Sequence, residues 1–237
     1  MTGASRGIGQ AIALKLAVYG ARVGINYHTS RSAAEETLKQ IQAAGGEAMV
    51  LGADIRDSAA VQSMIKTLTA AWGRLDILVN NAGLVRNEML LGMSEESWDE
   101  VLDTNLKGAF VCCKYALRPM LEQGWGRIIN ISSVAALRGN YGQANYSAAK
   151  GGLISFTRSL AREVGSKGVT VNAITPGLIQ TSMMDTVPES YRKEVMGRLA
   201  IPRAGEAGDV AGLVVFLASE EASYITAQVI GVDGGLI

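Results

Sequence analysis

The chain has 237 residues, and its Lys plus Arg count of 22 against an Asp plus Glu count of 22 gives a formal charge of +0. That balance argues against nucleic acid or an anionic membrane as a partner, because both call for a basic excess. A hydrophobic fraction of 48% excludes disorder, and Gly at 28 with Pro at 4 suits tight loops between long regular elements.

In chain order, apolar periodicity predicts a helix at 9–19, a strand at 22–27, a helix at 30–44 stopped by Gly45 and Gly46, and a strand at 47–51. A helix at 58–72, with Ser58 as its cap, stops at Gly73 and precedes a strand at 75–79. Ser94 caps the next helix, and a long helix follows at 104–122. A strand at 127–131, a helix at 145–166, a strand at 169–174, a helix at 207–218 and a strand at 228–232 complete the pattern. Short apolar strands alternating with helices imply a parallel sheet covered on both faces. The expected fold class is α/β, a Rossmann-type doubly wound parallel sheet, with residues 1–237 as a single domain.

The Gly-rich turn at Gly3 belongs at the carboxyl end of a strand, yet only Met1 and Thr2 precede it. Losing about four buried apolar side chains of a central strand would forfeit ~6–12 kcal/mol. That rivals a typical total stability of ~5–15 kcal/mol. The first strand is therefore expected upstream of Met1; the plainer alternative is a gap beside two neighbouring strands.

Cys112 and Cys113 are adjacent, read as two buried thiols in a reducing compartment. With His28 the sole histidine, no metal site is expected. The apolar run at 210–218 is far below the ~20 residues of a membrane span. The residues after Met1 do not form a secretory signal, so the cytoplasm is expected, or an organelle if an N-terminal segment precedes.

Four constellations carry chemistry. Gly3, Gly7 and Gly9, with Ser5 and Arg6 between them, let the backbone turn sharply and aim a helix N-terminus at a pyrophosphate. Asn80-Asn81-Ala82-Gly83 ends an apolar strand at the same edge, although an Asx-turn is the plainer reading. Tyr146 and Lys150 stand four apart on a helix and share a face, where an ammonium favours the phenolate. Alone, such a pair is more often an exposed helix face. Ser132 and Ser133 end a strand and place hydroxyls at the carboxyl edge, where caps and loops also want serine. Asn105 is a poor helix former inside a long helix and needs a reason to be there.

Together and in this order, these residues resemble the short-chain dehydrogenase/reductase family, classical type, from Gly3 to the Val232-Asp233-Gly234-Gly235 ending. The resemblance implies a nicotinamide cofactor as the hydride carrier, with Asn105, Ser133, Tyr146 and Lys150 matching the catalytic tetrad. In it, Tyr146 exchanges a proton with the substrate oxygen. Lys150 holds the nicotinamide ribose and lowers the Tyr146 pKa, Ser133 binds the carbonyl, and Asn105 positions a water. Gly3, Arg6, Ile8, Asp54, Ile55, Asn81, Ala82 and Gly83 match cofactor contacts, and Pro176, Gly177, Ile179 and Thr181 match the segment that covers the nicotinamide. Ser5, Asn26 and Tyr27 join the candidate cofactor-binding residues. No acid ends the strand at Tyr27, where an NAD-type site keeps one, and Arg6 is a nearby cation, so NADP(H) is expected.

Within the family the stretch 138–146 is most similar to 3-oxoacyl-(acyl carrier protein) reductases, as are 160–164 and the tail from Phe216. This implies reduction of a 3-oxoacyl thioester, on acyl carrier protein or CoA, by a homotetramer. One departure is Gly124, where such enzymes carry a base facing the carrier; Lys167 keeps a second basic position. Met183, Met184, Val187, Tyr191, Val195 and Met196 are candidates for an apolar acyl pocket under a lid at 183–199, with a packed amphipathic helix as the plainer reading. An alcohol, polyol or steroid dehydrogenase on the same scaffold is the alternative enzyme, and a catalytically silent NADP-binding scaffold the alternative of another class.

Overall fold

The computed structural model describes residues 1–182, 184 and 189–237. The elements run α1 (Gly7–Val18), β1 (Val23–Tyr27), α2 (Arg31–Ala43), β2 (Ala48–Gly52), α3 (Ser58–Trp72), β3 (Ile77–Asn80), α4 (Glu95–Leu102), α5 (Gly108–Gln123), β4 (Gly126–Ile131), α6 (Ala135–Arg138), α7 (Ala144–Val164), β5 (Val169–Pro176), α8 (Glu189–Met196), α9 (Ala207–Ala218) and β6 (Val229–Val232). All strand pairs are parallel. The α/β class and the sheet expected from the alternation are thus present, with boundaries moved by a residue or two. Asp57, not Ser58, caps α3, since its Oδ1 accepts from the amides of Ala59 and Ala60 at 2.8 and 3.2 Å.

The strand order is β2-β1 in one piece and β3-β4-β5-β6 in another. Residues 1–4 join the two pieces at their carboxyl edge. The Met1 amine donates to the Gly24 carbonyl at 3.1 Å, Met1 O accepts from Asn26, and the Thr2 amide donates to Val79 O at 3.0 Å. Below this seam β1 and β3 stand apart around a cavity of about 310 Å³, lined by Leu16, Val23, Met64, Leu68, Leu75 and Val79 among others.

Successive strand residues face opposite layers. Ile25, Val79, Ile129, Ile131 and Ile174 pack under α1, α2 and α9, contributing to a core with Ile12, Ile41, Val214 and Leu217. Leu78, Ile128, Val169 and Val171 pack under α3, α5 and α7, with Val61, Cys112, Cys113 and Met120. Both cysteines are free and buried, and burial raises their pKa values, to about 12 for Cys112. No described helix is long and apolar enough to cross a membrane, and no cluster of metal-ligating side chains occurs among the described residues.

The predicted long helix is more structured than a single α-helix. Between α4 and α5 the chain makes one π-helical turn, Asp103–Lys107, with Asn105 buried at its centre. Such single-turn insertions recur at functional sites.

Candidate active site

The carboxyl edges of β1, β3, β4 and β5 form one side of a crevice, and four loops meet there. The first is the glycine turn. Gly3 has φ +60, and a Cβ on it would sit 2.9 Å from the Ala82 Cα, so both its conformation and its packing require glycine. Thr2 and Asn81 stitch this turn to the loop after β3. Thr2 Oγ1 accepts from the amides of Asn81 and Ala82 at 3.0 and 3.1 Å, while Asn81 Nδ2 donates to the Thr2 and Gly3 carbonyls. The two glycine-bearing loops found separately in the sequence are therefore one structure.

Arg6 is the N-cap of α1, with no side-chain cap bond and no acid in the first turn. That is an open positive helix end, and it fits the pyrophosphate of a dinucleotide. Ser5 and Ile8 are half-buried beside it, and Thr181 closes over it: a Cβ on Gly7 would lie 3.5 Å from Thr181 Cγ2. Pro176 ends β5, Gly177 N donates to Val232 O at 3.0 Å, and buried Ile179 bridges to Gly205. Met183 and Val187 of the expected acyl pocket lie outside the described residues, as does the Tyr191 side chain. Val195 of α8 is buried and Met184 and Met196 are half-buried.

The adenosine end is built by β1 and β2. Asn26 is buried, and its amide is committed inward: Nδ2 donates to the Leu51 and Ala53 carbonyls at 3.2 and 3.0 Å, and Oδ1 accepts from Gly3 N. Its part is to hold the turn against the sheet. Tyr27 lies over Gly52, where a Cβ would come within 2.9 Å of its hydroxyl. Asp54 is gripped by Arg56 through both carboxylate oxygens, the shortest bond being 2.7 Å, and His28 Nε2 stands 3.6 Å from the same group. The hydrogen bond from Arg56 is the main reason the Asp54 carboxyl is held below its ordinary pKa. Ile55 is buried next to it.

At the other end, α7 brings Tyr146 and Lys150 to one face, and β4 ends at Ser132 and Ser133. Tyr146 faces Ser133, and its ring centroid lies 5.7 Å from Lys150 Nζ. Lys150 is 3% exposed, and its Nζ donates to the Ile131 carbonyl at 2.9 Å. Ser132 Oγ donates to Lys150 O at 2.9 Å, so Ser132 fixes the helix and Ser133 faces the tyrosine. Burial dominates the titration of both partners. It lowers the Lys150 pKa to about 8 and raises that of Tyr146, against the lowering effect of the Ser133 bond. Burial is the largest influence on the phenol, while the Lys150 ammonium is turned to Ile131 O.

Asn105 reaches in from the π-turn. Its Nδ2 donates to the Leu84 and Val101 carbonyls, both at 2.9 Å, and its Oδ1 accepts from Leu84 N at 3.2 Å. Gly83 is where Asn105 and Lys150 converge: a Cβ there would overlap Asn105 Oδ1 and lie 3.5 Å from Lys150 Nζ. Gly124 and Lys167 belong to the opposite edge of the sheet, where Gly126 N meets Gly168 O ahead of β4 and β5. Gly124 is a left-handed helix C-cap at φ +67, which accounts for glycine at the position of the missing base.

A doubly wound sheet with a glycine turn at a helix N-terminus, and a Ser–Tyr–Lys group at the far end of the crevice, defines a nicotinamide-dependent oxidoreductase site. The family model described as enoyl-(acyl carrier protein) reductase matches residues 3–237. Among curated relatives, the 3-oxoacyl-[acyl-carrier-protein] reductase FabG of Staphylococcus aureus (strain Mu50 / ATCC 700699) is 46% identical over 236 residues, covering 100% of this chain and 96% of the relative. The FabG of Staphylococcus epidermidis (strain ATCC 12228 / FDA PCI 1200) is 44% identical over 236 residues, with 100% and 97% covered. The 3-oxoacyl-[acyl-carrier-protein] reductase of Synechocystis sp. is 47% identical over 238 residues, with 100% and 95% covered. The chain belongs to the short-chain dehydrogenase/reductase family, whose members are oxidoreductases that use a nicotinamide cofactor.

Proposed function

We propose that the chain is an NADPH-dependent reductase of 3-oxoacyl thioesters, with Asn105, Ser133, Tyr146 and Lys150 as its catalytic residues. The observation that carries this reading is the half-buried Tyr146 beside Ser133 and the buried Lys150, in a chain 46% identical to a reductase named for that reaction. A nicotinamide cofactor, when bound, would supply the hydride for the carbonyl carbon. Ser133 donates a hydrogen bond to the carbonyl oxygen, and Tyr146 gives its phenolic proton to the oxygen as it becomes an alcohol. The raised phenol pKa keeps that proton in place at neutral pH, which suits the reducing direction. Lys150, whose pKa burial lowers to about 8, would hold the ribose hydroxyls of a bound nicotinamide cofactor and return a proton to Tyr146. Asn105 holds the loop at Leu84 that walls the site.

The preference for NADPH rests on charge. The end of β1 bears no acid, and Asp54 is paired with Arg56 at 2.7 Å. Arg6, exposed at the start of α1, makes no ion pair among the described residues, whereas Arg31 is engaged by Glu35 at 2.8 Å. Residues 1–237 act as one cofactor-binding domain in a cytoplasmic homotetramer. Phe110 on α5 and Phe216 on α9 leave large apolar surface exposed, which supports association. The experiment is an NADPH-oxidation panel with acetoacetyl-CoA, acetoacetyl-acyl carrier protein and polyols, repeated with NADH. Turnover of the thioesters with NADPH is expected. Turnover of a polyol alone, or a clear NADH preference, overturns the substrate or the cofactor reading respectively.

A further inference from the structure

We propose that Asn145 is the positioning residue for Tyr146, keying the start of α7 to the loop that walls the site; this rests on the reductase reading above. Asn145 is wholly buried, 0% exposed, and precedes Tyr146 directly. Its amide makes three hydrogen bonds to three segments. Oδ1 accepts from the Tyr146 amide at 2.7 Å, and Nδ2 donates to Arg86 O at 3.2 Å and to Ser97 O at 3.4 Å. The first belongs to α7, the second to the loop after β3, and the third to α4.

Each of these bonds answers a need. The first turn of a helix leaves amides without intrahelical partners. Gln143, the N-cap of α7, makes no side-chain cap bond, and the intrahelical ladder begins with Ser147 N on Gln143 O at 2.8 Å. Tyr146 N is therefore an orphan donor that Asn145 alone satisfies. The two amide hydrogens then go to carbonyls on separate elements, so the backbone of Tyr146 moves only with Arg86 and Ser97. Asn105 grips Leu84 of the same loop from the π-turn. Two buried amides thus clamp one loop from the two helices that bear the site, and burial makes every broken bond expensive. The distance held in this way is that between the Tyr146 hydroxyl and Ser133. A misplacement of about 1 Å there costs roughly 100-fold in rate.

The test uses the intact chain and four proteins: wild type, Asn145→Ala, the isosteric Asn145→Asp, and Gln143→Ala. Gln143 also ties α7 to the loop, through Nε2 on Asn87 Oδ1 at 2.8 Å, but does not touch Tyr146. Both Asn145 variants are expected to lose roughly 10- to 100-fold in kcat with acetoacetyl-CoA, while the NADPH Kd stays within about twofold. Gln143→Ala should keep kcat within about twofold. Amide exchange of Tyr146, read without cofactor, should quicken in Asn145→Ala and not in Gln143→Ala. Asn145→Asp keeps the acceptor and loses both donors, so it reports on the tie even if the alanine variant does not fold. Wild-type kcat in either Asn145 variant, an equal loss in Gln143→Ala, or a matching loss of NADPH binding overturns the proposal. A wild-type chain inactive on every thioester overturns the reductase reading instead.

Discussion

At the Tyr146 end of the crevice the cation is buried, and at the Arg6 end the cations reach solvent. Lys150 is 3% exposed, while the side chains of His28 and Arg56 are 57% and 37% exposed. At the buried end desolvation is the largest influence on titration, lowering one pKa and raising the other, and Lys150 Nζ is held by the Ile131 carbonyl. At the exposed end pairs of opposite charge set it, as with Arg56 on Asp54. On the proposed function the first end carries the chemistry, which needs fixed groups away from water. The second then selects the cofactor, where a cation at the surface suffices and salt screens it. The contrast makes opposite predictions for substitutions at the two ends.

The largest effect belongs to Tyr146→Phe. Loss of the phenolic proton donor should lower kcat by ~10²- to 10⁴-fold. NADPH binding by fluorescence titration should stay near wild type, since the ring and its packing remain. Unchanged turnover would remove Tyr146 from the proton transfer and with it the chemistry assigned to the buried end.

Next comes Lys150→Met, where activity and stability should part. Turnover is expected to collapse. The folded-state pKa of Lys150 is about 8, below the ordinary lysine value of 10.5. The unfolded chain therefore binds that proton more tightly, and the charged group costs the fold stability at every pH below about 8. The penalty fades as pH rises from the folded to the unfolded value. At pH 7 the variant should melt at or above wild type, and the gap should close by pH 10. A variant that melts well below wild type at pH 7 would mean that the bond to Ile131 O outweighs desolvation.

The sequence is most readable where a residue type has one physical use. Tyr146 and Lys150 share a helix face by spacing alone, and Gly3 stands where only a left-handed turn fits. It is less readable where a side chain works through the backbone. Asn105 stands out as a misfit in a helix, but the π-turn that seats it depends on contacts with Leu84, distant in sequence. Asn26 looks like a crevice residue because it ends a strand, yet strand alternation turns its amide inward to Leu51 and Ala53. Asn145 gives no signal beyond adjacency to Tyr146, because its partners Arg86 and Ser97 are brought to it only by the fold.

The smallest effect tests the exposed end. Arg6→Ala removes the unit charge that the NADPH reading assigns to a 2′-phosphate. Two charges ~4 Å apart in water interact by about 1 kcal/mol, so kcat/KM with NADPH should fall roughly fivefold. With NADH it should hardly move, because no phosphate is there to feel the loss. Raising the ionic strength to about 1 M shortens the screening length to ~3 Å, and the wild-type advantage with NADPH should shrink toward the variant's. Kinetics with both cofactors at low and high salt decide it. An equal loss with NADH, or one indifferent to salt, would mean that Arg6 acts by shaping the start of α1, and the exposed end would then work by packing as the buried end does.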